Sequence, residues 1–291
     1  MPRFVCVLLL SLVWGSTTET RGAQSVPQRI VSLAPSVTEV LFEAGLGPRV
    51  VGVTSSCRFP REALALPNVG GYLTPSYEAL VALRPDLVVI LPEHADIEPR
   101  LAALRIPTLR LDHRSLDGIV RSIVALGERC GAQAGAAQAA GTLRQHLARV
   151  RQIALDSSRP GRPEPSAKAA PRVLICFGRT EDFGRLHAAA PGTVHDDLIR
   201  QAGGQNALTS GAVSYPTLSV EGLLRLDPDV IVEFAAGRPD AAALRRQWNG
   251  LDSLRAVKTG RVHVFTDDFL AVPGPRFVRF ADTIARLLFP R

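Results

Sequence analysis

Cysteine is scarce in this sequence, with four residues in a chain of 291. Cys6 lies in an apolar segment at the amino terminus, so Cys57, Cys130 and Cys176 remain for the rest of the chain. Three widely separated cysteines are too few for a disulfide framework or a zinc site. We expect either one disulfide with a spare thiol or three buried thiols, and we predict no metal site and no cofactor.

The motifs of common enzyme classes are also missing. The sequence has no G-x-S-x-G, no H-E-x-x-H and no P-loop, and "GLGPRV" lacks the third glycine of a dinucleotide-binding fingerprint. His195, Asp196 and Asp197 could be offered as a catalytic cluster, but "GTVHDDLIRQAG" is typical of a helix start, where the helix dipole favours acids. We therefore predict a protein that is not an enzyme, and an exported hydrolase is the alternative.

Long apolar runs are absent after the first residues of the chain. Arg3 and the apolar residues 4–14 predict a secretory signal over residues 1–23, and no later run reaches the ~18 apolar residues that span a membrane. The formal charge is +7, but no basic run is interleaved with aromatic residues, so we expect no nucleic-acid partner. The mature chain is expected to be a monomer exported to the periplasm.

Short apolar runs alternate with helical patterns along the chain. "RIVSL", "RVVGV", "DLVVI" and "TLRL" are typical of buried strands, and each is followed by a turn and a helix, which predicts parallel sheets covered by helices. Ser36 and Glu39 predict a capping box at the start of the first helix. We predict an amino-terminal α/β lobe over residues 24–131, a connecting helix over 132–155, a Pro/Ser-rich loop over 156–171 and a carboxyl-terminal α/β lobe over 172–291.

One phrase is present twice, as "YLTPSYEALVALRPDLVVI" and "YPTLSVEGLLRLDPDVIVE", and equivalent residues are 143 positions apart. In each copy a serine, Ser76 or Ser219, can cap a helix, and a glutamate two residues later, Glu78 or Glu221, lies in its first turn. Helix stabilisation alone could explain this pattern. Alternatively, the two glutamates lie at equivalent exposed tips of two similar lobes and bind arginines of a symmetric dimer.

These phrases, together with "RIVSLAPSVTEVLFEAGLGPRVVGVTSSCRFP", resemble the periplasmic binding proteins of ABC importers that are built on a helical backbone, and their cobalamin-binding branch in particular. The resemblance covers essentially the whole chain after the signal. It implies an α/β fold of two Rossmann-like lobes with mostly parallel sheets, joined by a single long rigid helix, with a ligand held in the cleft and little hinge closure. It also implies that Glu78 and Glu221 form salt bridges with arginines of the two permease subunits of an ABC transporter.

The predicted ligand site lies at the strand ends, because loops at the carboxyl ends of strands line such clefts. This rule selects residues 55–59, 71–72, 93–94, 178–182 and 267–269, together with Tyr215. Ser56, Cys57 and Phe59 belong to the first of these segments. Among these residues, the resemblance implies that Tyr72 and Tyr215 are cleft aromatics and that Asp268 and Phe269 are a polar and an aromatic contact. Aromatic faces with a few polar groups suit cobalamin, whose corrin ring is large, flat and partly apolar and carries amide arms.

The sequence departs from the cobalamin-binding pattern in the tyrosines at positions 72 and 215, where tryptophan is expected, and in its Cys-Arg-Phe-Pro loop. Another corrinoid, haem or a ferric siderophore therefore stays open as the ligand. Haem would take an axial ligand such as tyrosine or histidine, and the candidates are Tyr72, Tyr215, His94 and His187. An anionic siderophore would need cleft arginines, for which the candidates are Arg58, Arg179 and Arg276.

Overall fold

The predicted alternation of strands and helices is present in the computed structural model, which describes residues 25–157, 170–238 and 240–290. The predicted signal and most of the predicted Pro/Ser-rich loop lie outside the described residues. The strands are β1 (Ile30–Ser32), β2 (Val50–Val53), β3 (Leu87–Ile90), β4 (Thr108–Arg110), β5 (Arg172–Phe177), β6 (Leu186–Ala188), β7 (Gln205–Asn206), β8 (Thr217–Leu218), β9 (Val230–Phe234) and β10 (Val262–Phe265). The helices are α1 (Pro35–Glu43), α2 (Tyr77–Leu83), α3 (Glu98–Ala103), α4 (Leu116–Arg129), α5 (Gln133–Ser157), α6 (Val194–Gln201), α7 (Val220–Leu226), α8 (Ala241–Gln247), α9 (Arg255–Lys258) and α10 (Pro275–Leu288).

The first lobe contains a parallel sheet in the order β2-β1-β3-β4. Neighbouring residues of a strand point to opposite faces, so Ile30 belongs to one apolar cluster and Val31 to another. The cluster of Val31 also contains Leu80 of α2 and Leu101 of α3, and helices α1 and α4 cover the other face. Burial on both faces explains the apolar character of β1, β2 and β3. The expectation that "TLRL" is a buried strand is wrong, because β4 lies at the edge of the sheet and is partly exposed.

The second lobe contains a mixed sheet in the order β10-β9-β5-β6-β8, with β7 paired to β5. Strands β10, β9 and β5 are parallel, whereas β6 and β8 are antiparallel to their neighbours. The two lobes are thus similar in their parallel strands, and the second adds an antiparallel edge. The expected α/β class with mostly parallel sheets is confirmed.

The repeated phrase forms the same helix–strand unit in both lobes, α2 with β3 and α7 with β9. Helix α2 and helix α7 are offset by the 143 positions that separate the two phrases, and so are the first residues of β3 and β9. The backbone N–H of Ala79 donates to Ser76 Oγ, and that of Gly222 donates to Ser219 Oγ, both at 3.2 Å. Both serines are therefore helix caps, as predicted.

The Pro-Asp pair that follows each repeated helix anchors the next strand. One carboxylate oxygen of Asp86 accepts from the N–H of Arg29 at 2.9 Å, and Asp229 accepts from the N–H of Arg172 at 2.8 Å. Each aspartate thus ties the start of a strand to the neighbouring strand. This shared role accounts for the acidic residue at both positions.

Two helices hold the lobes together. Helix α5 has 25 residues and is therefore about 37 Å long, enough to run along a small domain. Helix α10 follows the second lobe in sequence and packs along α5, α4 and α1. One continuous apolar core contains Ile30 of the first lobe, Leu143 of α5, and Val173 and Phe277 of the second lobe. The long connecting helix is confirmed, and α10 adds a second connection.

The capping box predicted from Ser36 and Glu39 is not present at the start of α1. Ala34 is the N-cap residue of this helix and makes no side-chain capping bond, while Pro35 occupies the first turn. Ser36 consequently lies inside the helix rather than at its cap. Glu39 pairs with Arg276 of α10, with Nη2 and Oε1 2.7 Å apart. The predicted capping box is therefore replaced by an ion pair between the lobes.

The three cysteines of the described residues are buried free thiols. This outcome agrees with one of the two expected arrangements. Among the described residues, none of the helices has the length and apolar character needed to cross a membrane.

Candidate functional site in the interlobe cleft

A cavity of about 320 Å³ opens between the two lobes. The first lobe contributes residues that follow each of its four strands, as expected for loops at the carboxyl ends of a parallel sheet. The second lobe contributes the start of α6, the residues before β8 and the segment before α10. The lining residues used below are Ser36, Ser56, Tyr72, Glu93, His113, Arg114 and Tyr215.

Tyr72 is held in place by His94. The N–H of Leu91 donates to His94 Nδ1 at 3.0 Å, so Nδ1 carries no proton and Nε2–H donates to the carbonyl of Tyr72 at 2.9 Å. The two rings also pack edge to face, with centroids 4.9 Å apart. Burial lowers the pKa of His94, which keeps the ring in this neutral form. Both nitrogens of His94 are occupied, so this side chain positions Tyr72 and does not bind a metal.

Tyr215 lies on the other wall of the cleft and is 42% exposed. Its ring packs edge to face against Phe177 at 5.4 Å and against His195 at 5.9 Å. His195 in turn packs against Phe277 of α10. Burial lowers the pKa of His195 to about 4, so this ring supports the tyrosine as a neutral group.

Glu93 is close enough to influence both tyrosines electrostatically. Burial, with a smaller contribution from the Glu93 carboxylate, raises the pKa of Tyr72 to about 12. The same two causes, burial and then Glu93, raise the pKa of Tyr215. Both phenols are therefore protonated at neutral pH and can donate hydrogen bonds.

The cleft has no excess of positive charge. Glu93 and Arg114 carry the formal charges among the lining residues of the described chain. Arg114 is already bound to Asp112, with Nε and Oδ1 2.9 Å apart. The hydrogen bond from Arg114 lowers the pKa of Asp112 to about 2, so the pair is ionised and internally compensated. Glu93, Arg114 and Asp112 together therefore leave one net negative charge at the cleft.

Three of the predicted ligand residues gather around Arg276 instead of lining the cavity. The guanidinium of Arg276 lies 4.0 Å from the Phe59 ring centroid and 5.5 Å from that of Phe269, and it pairs with Asp268 at 2.9 Å. Phe59 belongs to the first lobe and Arg276 to α10. These residues therefore form part of the junction between the lobes, next to lining residues Ser56 and Ala271.

Cys57 was expected in the cleft, and here the structure differs. The thiol is buried, and its sulfur lies 3.1 Å from both Thr38 Oγ1 and Thr54 Oγ1. Its neighbour Ser56 lines the cavity instead. Alternate residues of the loop thus point inward and outward, which the sequence alone does not reveal.

The lining residues of the cavity also do not include the arginines and histidines that were candidates for ligand contacts. Arg179 is fully buried in the second lobe, where its Nε lies 3.0 Å from Glu233 Oε1 and its guanidinium packs over Phe183. Arg276 is bound to Glu39 and Asp268. His187 packs against Phe177 outside the lining residues. Arg58 is exposed beside the Cys57 loop and is likewise outside the lining.

The cluster His195-Asp196-Asp197 is structural. Thr193 caps α6, and the N–H of Asp196 donates to Thr193 Oγ1 at 3.2 Å. Asp197 accepts from the N–H of Leu116, the first residue of α4, at 2.8 Å. The helix start expected from this sequence is confirmed, and the two acids are engaged in hydrogen bonds. No group of three or more potential metal ligands is present in the part of the chain that the structure describes.

Glu78 and Glu221 are exposed at equivalent positions of α2 and α7. Each has an exposed apolar neighbour one helical turn further on: Val81 is 49% exposed and Leu224 is 39% exposed. These two residues are also 143 positions apart. The equivalence of α2 and α7 therefore includes an exposed acidic and an exposed apolar side chain in each copy.

Three lining residues, Ser36, His113 and Arg114, are not among the predicted cleft residues. The segment "LDHRS" follows β4, so the strand-end rule could have selected His113 and Arg114. No comparable signal marks Ser36, because the misplaced helix start hid its position.

Two α/β lobes on one long helix, with a cleft at the strand ends, define a two-lobed binding protein for small molecules. A family model described as periplasmic binding protein matches residues 30–269. The chain belongs to the periplasmic binding protein family.

The chain is similar to proteins that bind two different kinds of ligand. It is 28% identical over 289 residues to the vitamin B12-binding protein of Pectobacterium carotovorum, covering 98% of this chain and 95% of that protein. The structure of the vitamin B12-binding protein of Vibrio cholerae matches with a TM-score of 0.75 and 26% identity, over 90% of this chain and 96% of the other. A haem-binding protein of Pseudomonas aeruginosa matches with the same TM-score and identity, over 91% and 94%. The fold is therefore shared between cobalamin and haem binders.

Proposed function

We propose that the protein captures cobalamin, or a related corrinoid, in the interlobe cleft and delivers it to the permease of an ABC transporter. It does so in the periplasm, after removal of the signal over residues 1–23, and it acts by binding rather than by turnover. The observation that carries this proposal is the pair of protonated tyrosines, Tyr72 and Tyr215, on opposite walls of one cavity with Glu93 near both. The similarity to vitamin B12-binding proteins over nearly the whole chain supports it.

The charges of the cleft favour a ligand with uncharged arms. Corrin side arms end in amides, apart from the arm that carries the nucleotide loop and its phosphodiester. Amides accept hydrogen bonds from phenols and donate them to a carboxylate such as Glu93. Haem instead carries propionate carboxylates, which would face Glu93 with Arg114 already bound to Asp112. The electrostatic complementarity of the site is therefore better for cobalamin.

Isothermal titration with cyanocobalamin tests the proposal. We expect one-to-one binding that weakens in Tyr72→Ala and in Tyr215→Ala. Tyr77→Ala is the matched control, because Tyr77 lies on α2, packs against Arg100 of α3 and is not a lining residue of the cleft. Absence of cobalamin binding by the unaltered protein would refute the ligand, and equal losses in all three variants would refute the role of the cleft tyrosines.

Haem is the second candidate ligand, because a haem-binding protein is as similar in fold as the vitamin B12-binding one. In this reading Tyr72 or Tyr215 would supply the axial ligand. Iron binding by tyrosine requires the phenolate, and burial together with Glu93 opposes deprotonation of both side chains. A hemin titration that produces the charge-transfer band of an iron–phenolate bond would favour this alternative.

Glu78 and Glu221 are proposed to dock the loaded protein on the two permease subunits. Their equivalent exposed positions on the two lobes fit a partner with two related basic sites, since carboxylates pair well with arginine. Val81 and Leu224 would add an apolar contact beside each ion pair. The family similarity supports a permease as the partner.

Charge reversal separates docking from helix stabilisation. Glu78→Arg with Glu221→Arg is expected to abolish binding to a cobalamin permease–ATPase complex in nanodiscs while ligand affinity is unchanged. Glu128→Arg, an exposed change on α4, is the control. If the glutamates only stabilise their helices, the double variant will lose about 0.3–1 kcal/mol of stability per site and dock normally.

A further inference from the structure

His113 is a buried side chain at the cleft that lacks one hydrogen-bond partner. It is 4% exposed, lines the cavity, and follows strand β4. Its Nδ1 lies 2.9 Å from Ser36 Oγ, whereas its Nε2 has no partner among the described residues. Buried polar atoms are nearly always paired, because an unpaired one costs stability. The unpaired nitrogen therefore points to a partner that the cavity admits.

The hydrogen bond with Ser36 indicates which nitrogen of His113 carries the proton. If the Ser36 hydroxyl donates to Nδ1, then Nε2 is protonated, and a single donor is left to be paired. The reverse arrangement would leave both the hydroxyl proton of Ser36 and the lone pair of Nε2 without partners in the described residues. The first arrangement leaves fewer polar groups without a hydrogen-bond partner. Burial lowers the pKa of His113 to about 4, so the ring is neutral at physiological pH.

The amino terminus of α1 lies beside this imidazole. Ala34, Pro35 and Ser36 all line the cavity, and Ala34 caps the helix without a side-chain hydrogen bond. The first turn of a helix has backbone donors without helical partners, and it carries the positive end of the helix dipole. Both features attract an acceptor oxygen. The wall formed by α1 and His113 is thus rich in donors, whereas Glu93 is an acceptor on the loop after β3.

We propose that His113 Nε2–H and the uncapped start of α1 form a donor subsite that binds an oxygen atom on a side arm of the cargo. This inference rests on the proposed function, under which the oxygen is the carbonyl of a corrin amide arm. Ser36 is a positioning residue, since its hydroxyl holds the imidazole in the tautomer that donates into the cleft. With Glu93 available to accept from amide nitrogens, the two polar groups together suit an amide, which has both a donor and an acceptor.

The test replaces both members of the pair by apolar side chains. Ser36→Ala with His113→Leu removes two buried polar groups that depend on each other, so the ligand-free protein is expected to unfold at an unchanged or higher temperature. Its affinity for cyanocobalamin is expected to fall about two- to twelvefold, the loss of one hydrogen bond. His263→Leu, on β10 and outside the cleft lining, is the control and should bind normally.

Three results would overturn the proposal in distinguishable ways. If the unaltered protein does not bind cyanocobalamin, the proposed function fails and the subsite fails with it. If the unaltered protein binds and the double variant binds equally well, only the subsite is wrong. If the double variant loses affinity and stability together, His113 has a structural role alone.

A spectroscopic readout tests the tautomer independently of affinity. In ¹⁵N-labelled ligand-free protein, His113 is expected to show a protonated Nε2 and an unprotonated Nδ1. Addition of cyanocobalamin is expected to shift the Nε2 signal and to leave that of His263 unchanged. A lone pair on Nε2, or an Nε2 signal that does not respond to the ligand, would contradict the proposal.

Discussion

The ion pair between Glu39 and Arg276 offers a sharp test of how the two lobes are held together. Glu39 lies on α1 with its side chain 2% exposed, and Arg276 on α10 is 20% exposed. Both Nε and Nη2 of Arg276 donate to Glu39 Oε1, at 2.9 and 2.7 Å. Arg276→Met would leave a buried carboxylate without its partner, which typically costs about 3–5 kcal/mol. We therefore expect a fall in melting temperature of the order of 10 °C.

A double substitution separates the cost of the unpaired charge from the loss of packing. In Glu39→Met with Arg276→Met no charge is left buried, so stability should return to within about 1–2 kcal/mol of the unaltered protein. Urea unfolding at pH 7.5, measured by circular dichroism, gives all the required free energies. Arg286→Met is the control, because Arg286 makes an exposed pair with Asp282 on the same helix and should matter little.

The pH dependence of the single variant provides a second check. Burial raises the pKa of Glu39 even though Arg276 opposes this effect, and removal of Arg276 will raise it further. A carboxyl group whose pKa is higher in the folded state stabilises the protein at low pH and loses that contribution as the pH rises. The deficit of Arg276→Met relative to the unaltered protein should therefore shrink between pH 7.5 and pH 5. A deficit that is the same at both pH values, or a double variant as unstable as the single one, would refute the reasoning.

Three further predictions concern groups around the cleft. The pKa values of His113 and His195 are about 4 in the folded protein, so unfolding takes up protons below pH 6.5. The free energy of unfolding should therefore fall as the pH is lowered from 6.5 towards 4. Thermal scans at pH 5 should show a loss of about 2 kcal/mol for each histidine. His94→Phe should weaken cobalamin binding severalfold in a titration, because Tyr72 loses the hydrogen bond that holds its backbone, whereas unchanged affinity would contradict this role. Cys57 should react with a thiol reagent only on unfolding, and rapid labelling of the native protein would show that its thiol reaches the cleft after all.

Features with local causes could be predicted from the sequence. The central strands β1, β3 and β9 are apolar because they are buried on both faces of their sheets. The repeated helices begin after Ser76 and Ser219 because each serine caps its own helix. The offset of 143 positions between the two phrases is the offset between α2 and α7. The repeat and the strand-end rule together also predict Tyr72 and Tyr215 as cleft residues, and both line the cavity.

Features that depend on distant partners could not be predicted. Glu39 resembles a capping residue in sequence, but its partner Arg276 is 237 positions away. Arg179 looks like any loop arginine, and only the folded lobe shows it buried against Glu233. Cys57 and Ser56 are neighbours in one loop, and the direction of each depends on the threonines that surround the thiol. Side-chain direction in a loop has no periodicity from which it could be read.

A competition measurement tests the central claim most directly. The mature protein is mixed with equimolar cyanocobalamin and hemin, each in excess, and the visible spectrum of the protein fraction is recorded after gel filtration. We predict that the protein carries cobalamin in a one-to-one ratio and little haem, because the phenols remain protonated and Glu93 disfavours propionates. A protein fraction that carries haem and excludes cobalamin would contradict it.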